Sequence, residues 1–86
     1  MKNGVRWTIQ TGKQTTRESY SFVKTCIADC GGRVVETTPI IKERAYRITF
    51  DVEPDMLLHT CKVMSELATE EIVSIVDGYS AIGIES

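Results

Sequence analysis

Eighty-six residues bound this chain to one small domain, 1–86, and its 42% hydrophobic and 26% charged content belongs to a globular fold rather than a disordered or fibrous one. Ten basic against twelve acidic residues leave a formal net charge of −2, which excludes a general electrostatic drive toward nucleic acid or an anionic membrane. Apolar runs are too short to span a bilayer, no secretory core follows Lys2, and three cysteines make a disulfide scaffold a poor fit, so reduced thiols in a cytoplasmic setting are expected.

Val5, Trp7 and Ile9 alternate with Arg6, Thr8 and Gln10, the period of a half-buried strand over Val5–Gln10. Thr11–Gln14 is a short polar connection. Thr15-Thr16-Arg17-Glu18 reads as a capping box, in which the Thr15 hydroxyl accepts from the Glu18 amide. A helix follows over Thr16–Cys30, with Phe22, Val23, Cys26, Ile27 and Cys30 on one face. Gly31-Gly32 ends it, because glycine accepts the left-handed conformation cheaply. Arg33–Thr38 is a β-branched second strand that stops at Pro39, and Ile40–Arg44 is a hairpin connection or a strand extension.

Ala45–Val52 is the clearest strand, with Tyr46, Ile48, Phe50 and Val52 alternating with Arg47, Thr49 and Asp51. Pro54 suits the first position of a helix over Asp55–Ala68. Met56, Leu57, Cys61, Met64, Leu67 and Ala68 form its apolar stripe, and Asp55, His59, Lys62 and Glu66 its solvent face. Ile72–Val76 is a fourth strand. Asp77-Gly78 is a two-residue hairpin signal, which predicts a short fifth strand over Tyr79–Ile84 or a tail packed on the domain.

Two strand-helix-strand units joined by a hairpin give an α+β, ferredoxin-like β-α-β-β-α-β layout. Right-handed crossovers place both helices on one face of an antiparallel sheet. Val5, Trp7 and Ile9 then meet Tyr46, Ile48 and Phe50 in the core. Arg6, Thr8, Gln10, Arg47, Thr49 and Asp51 occupy an open, polar face.

No residue set demands catalysis, a cofactor or a metal. Cys26 and Cys30 share a helical face, but no tight C-x2-C loop is present, and His59 and Cys61 point to different sides of a regular helix. Buried thiols of this kind act as small hydrophobes. His59 lies one turn after Asp55 on a solvent face, with no nucleophile beside it. Nucleotide-binding glycine loops and the serine-nucleophile elbow are absent from the sequence. The expectation is a non-enzymatic domain.

Arg44-Ala45-Tyr46-Arg47-Ile48-Thr49-Phe50 resembles the third-strand signature of RNA-recognition modules, with Ala45 in place of the glycine and Ile48 in place of an aromatic. The resemblance implies nucleic-acid binding through Arg6, Arg44 and Arg47. Strand parity opposes it, because Trp7, Tyr46 and Phe50 fall on the core side. A protein partner fits better. Ile40 and Ile41 form an apolar pair at a loop tip beside Lys42 and Arg44, and Tyr79 and Ile82 belong to an outer strand or tail with free backbone groups. An adaptor, regulator or inhibitor, including the type carried by phages and mobile elements, is the leading expectation. A nucleic-acid module is second, and a small-molecule-binding regulatory homodimer is third.

Overall fold

The computed structural model describes residues 4–12 and 15–81, with side chains as far as residue 77. The elements are β1 (Val5–Thr11), α1 (Arg17–Asp29), β2 (Arg33–Ile40), β3 (Ala45–Val52), α2 (Leu57–Thr69) and β4 (Val73–Ala81). Short 3-10 turns at Ile41–Glu43 and Pro54–Met56 join β2 to β3 and lead into α2. The class is α+β. Four strands lie in the order β2-β3-β1-β4, and every neighbouring pair is antiparallel.

The alternation in β1 and β3 sets the two faces of the sheet. Trp7 lies opposite Phe50 and Ile9 opposite Ile48. The Trp7 and Phe50 rings run parallel, 3° apart in plane with centroids at 6.4 Å. Val23 and Ile27 of α1, and Met64 and Leu67 of α2, close over this face and form one core with Val5, Trp7, Ile9, Ile48, Phe50, Val52 and Val73. Both helices therefore cover the same side. Their solvent faces match the polar stripes of the sequence, with Asp55, His59, Lys62 and Glu66 exposed.

Several expectations need correction. The N-cap of α1 is Thr16, whose hydroxyl accepts from the Ser19 amide at 3.0 Å, not Thr15. Thr15 is held elsewhere, because its hydroxyl is drawn to Thr11. Phe22 is half-exposed, and Tyr20 packs against the core edge instead. The strand β2 runs through Pro39 to Ile40. Proline is tolerated there because β2 is an edge strand and needs no donor on its outer side. Among the described residues no fifth strand is seen, since β4 continues through Asp77-Gly78 to Ala81, and the rest of the expected Tyr79–Ile84 segment lies outside them. The register explains this: Arg6 pairs with Ser80, Thr8 with Asp77 and Ile9 with Ile75, so β4 carries one extra residue at each step. Asp77-Gly78 thus sits in a bulged stretch, which glycine accommodates as readily as a turn.

Both helices end in the same way. The Gly32 amide donates to the Ile27 carbonyl and the Gly31 amide to the Ala28 carbonyl, each at 2.9 Å. After α2 the Ile72 amide donates to Leu67 at 2.9 Å and the Glu71 amide to Ala68 at 3.0 Å. These are paired Schellman closures. Gly31 takes the left-handed position in the first with φ 70°, whereas Glu71 takes it in the second with φ 61°. Gly32 serves a different need. A Cβ there would lie 2.6 Å from Ile27 Cγ2 and 2.8 Å from the Ile27 carbonyl oxygen.

Two substitutions should therefore move stability in opposite directions. Gly32→Ala should destabilise by about 1–3 kcal/mol through overpacking. Glu71→Gly should stabilise by about 1 kcal/mol by relieving a left-handed side chain. Urea denaturation of the two variants beside the parent measures both.

Candidate functional site

The open face is built from cross-strand pairs. Arg6 meets the Asp51 carboxylate with two bonds, Nε to Oδ1 at 2.7 Å and Nη2 to Oδ2 at 2.9 Å. This fork holds Asp51 nearly buried and raises the Arg6 pKa, chiefly through the side-chain hydrogen bond and then through charge. Thr8 and Thr49 hydroxyls lie 3.2 Å apart. Arg47 Nη2 donates to Gln10 Oε1 at 3.1 Å. The strand register adds Arg33 beside Asp51, Glu36 beside Thr49, and Asp77 beside Thr8. Three arginines and three carboxylates share these rows, so the face is close to neutral.

The hairpin end is different. The chain leaves β2 through Ile40, turns over Ile41–Glu43, and enters β3 from Arg44 in the left-handed conformation, φ 51° and ψ 46°. A non-glycine residue there costs about 1–2 kcal/mol, so the surroundings must fix it. The Arg44 amide donates to the Ile41 carbonyl at 3.2 Å, and the Arg44 carbonyl accepts from the Thr15 amide at 2.9 Å. Buried Thr11 completes the tie. Its hydroxyl accepts from the Tyr46 amide at 2.9 Å and from the Thr15 hydroxyl at 2.7 Å, which has the Gly12 carbonyl as a second acceptor. The β1–α1 connection and the hairpin are thereby one unit.

That unit frames an open pocket of about 240 Å³, lined by Thr15, Pro39, Ile40, Ile41, Arg44, Ala45 and Tyr46. The Tyr46 ring is tilted against Tyr20 at 4.5 Å between centroids, and Lys24 Nζ sits 5.6 Å from the Tyr20 ring centre. The volume falls below the roughly 300–1,000 Å³ of small-molecule sites. It suits one large side chain better than a cofactor.

The structure brings Ile40, Ile41 and Arg44 together around this pocket, with Lys42 exposed on the adjoining turn. Ile40 is half-buried, so the expected exposed pair reduces to Ile41, which is 86% exposed. Tyr79 does not join them. It lies in β4, across β1 from the hairpin and beyond Asp77, which pairs with Thr8. Ile82 lies outside the described residues. Arg6, Arg44 and Arg47 are also not one cluster, since Arg6 is forked to Asp51, Arg47 bonds Gln10 and Arg44 stands at the turn. Sequence reasoning missed Thr11, Thr15, Pro39, Ala45, Tyr46 and Tyr20 as parts of this end. Thr11 had a readable signal, because it continues the inward series of Val5, Trp7 and Ile9.

The cysteines are free thiols. Burial pushes the Cys26 and Cys30 pKa values up, with Asp29 adding to the rise, while a hydrogen bond with Thr60 partly opposes it at Cys30. Thiols held protonated in this way are poor nucleophiles. Among the described residues, no group of three or more His, Cys, Asp or Glu side chains is arranged to hold a metal ion. No helix is long and apolar enough to cross a membrane among the described residues. No protein-family model and no curated protein matches the chain.

Thr11→Val should leave the Tyr46 amide without its acceptor and cost about 1–3 kcal/mol. Amide chemical shifts should move mainly at Thr15 and Arg44–Tyr46, leaving α2 and β4 close to their parent positions.

Proposed function

We propose that this is a non-catalytic protein-interaction domain, an adaptor, regulator or inhibitor, that docks a partner protein through the end of its β2–β3 hairpin. The carrying observation is the continuity of exposed Ile41 with a pocket whose apolar lining comes from Pro39, Ile40, Ala45 and Tyr46. Leu58 is equally exposed, at 85%, but it does not line the pocket. Single exposed apolar side chains are ordinary, whereas one continuous with a pocket supports the reading of a contact surface. The pairing of Arg6, Thr8 and Gln10 with Asp51, Thr49 and Arg47 supports a structural role for the open face.

The edges favour the hairpin too. β2 carries a register shift between Val34 and Glu36 and a proline at position 39, and β4 carries two shifts. Bulges and edge prolines blunt strand addition. We further propose that the domain is of the ferredoxin-like type, a reading supported by the strand order β2-β3-β1-β4 with antiparallel neighbours. Three free thiols favour a reducing, cytoplasmic setting.

Affinity capture from native cells, followed by mass spectrometry, tests this reading. Ile41→Asp should reduce retention of the partner at least about tenfold, since full burial of such a side chain is worth roughly 1.5–3 kcal/mol. Leu58→Asp should retain it. Equal retention by parent and Ile41→Asp, with the fold intact, would contradict docking at the hairpin.

A further inference from the structure

Taking the hairpin end as the docking site proposed above, we infer that the partner segment received there is acidic and inserts one large apolar side chain into the pocket. Charge distribution argues for the acid. The chain as a whole is acidic, at −2. Around the pocket basic groups gather: Arg44 lines it, Lys42 stands on the adjoining turn beside Glu43, and Lys24 lies by the Tyr20 ring that packs on Tyr46. Lys24, Lys42 and Arg44 are all exposed.

The pocket's chemistry argues for the apolar insert. Pro39, Ile40, Ile41, Ala45 and Tyr46 supply an apolar lining, and Thr15 and Arg44 supply its polar positions. The volume of about 240 Å³ holds one large side chain. Tyr20 lies tilted against Tyr46 of the lining, with Lys24 near the Tyr20 ring, placing aromatic and cationic groups together. Tyrosine and arginine are the residue types that most often anchor protein interfaces. The left-handed Arg44 backbone, fixed by Ile41 and Thr15, holds this residue in the pocket lining. An acidic segment would also be steered to this end by Lys24, Lys42 and Arg44.

The test is an amide NMR titration of the full chain with synthetic probes at millimolar concentration. One peptide carries a leucine flanked by aspartates, a second replaces the leucine by alanine, and a third replaces the aspartates by lysines. A thymidine oligonucleotide is the fourth probe. The aspartate–leucine peptide should shift Thr15 and Ile41–Tyr46 and weaken as salt rises. Loss of the leucine should weaken it about tenfold. Arg44→Gly, which keeps the left-handed backbone, should weaken the same peptide while leaving the remaining spectrum unchanged. If the lysine peptide binds these residues as well as the aspartate peptide, the acidic inference fails while hairpin docking stands. If no leucine peptide shifts them, both fail. Tighter binding of the oligonucleotide at these residues would overturn the inference in favour of a nucleic-acid partner.

Discussion

The pairing of β1 with β3 is the constraint on which the rest of the structure depends. With Trp7 opposite Phe50 and Ile9 opposite Ile48, every apolar residue of both strands except Ala45 faces the two helices. A slip of one residue would turn that set toward solvent and bring Arg6, Thr8 and Gln10 beneath α1 and α2. The polar face then locks the same register from the other side. Arg6 can fork to Asp51, and Thr8 can reach Thr49, only in this alignment. Apolar burial and polar pairing select one arrangement.

The same register shapes the two surfaces weighed above as docking sites. It consumes the polar groups of the open face in mutual contacts and leaves that face nearly neutral. It also extends β2 and β3 past the end of β1 paired with Gln10, so the turn stands beyond the sheet. Thr11 and Thr15 tether that projection to the start of α1. The result is a rigid end with an apolar residue displayed on it. Rigidity matters because a docking surface that is already ordered loses little entropy on binding.

Much of the fold is legible in the sequence because its causes are local. Alternation in Val5–Gln10 and Ala45–Val52 exposes both strand parities, and Gly31-Gly32 marks the end of α1. The misreadings arise where one residue type serves two geometries. Asp77-Gly78 signals a turn, but the same freedom serves the bulged stretch of β4 opposite Thr8. Thr15 and Thr16 are both good caps, and only the distant Thr11 decides between them. Glu71 and Arg44 take left-handed conformations without glycine, so composition gives no warning. At Glu71 the Leu67–Ile72 closure compels it.

The candidate site is less legible for the same reason. Ile40, Ile41, Lys42 and Arg44 stand out as an apolar pair beside charge, and three of them line the pocket. Its other wall comes from Thr15, a segment brought there by the β1–β3 register and the Arg44 carbonyl. Tyr79 looked equivalent in sequence because outer strands share free backbone groups, yet β1 and the length of the sheet separate it from the turn.

The central claim is that the hairpin end, and not the open sheet face, meets a protein partner. Site-specific photocross-linking in native cells tests it most directly, with a benzoylphenylalanine placed at Ile41 in one variant and at Thr8 in another. The account predicts a discrete protein adduct from position 41 and none from position 8. A protein or nucleic-acid adduct from position 8, with none from position 41, would contradict it.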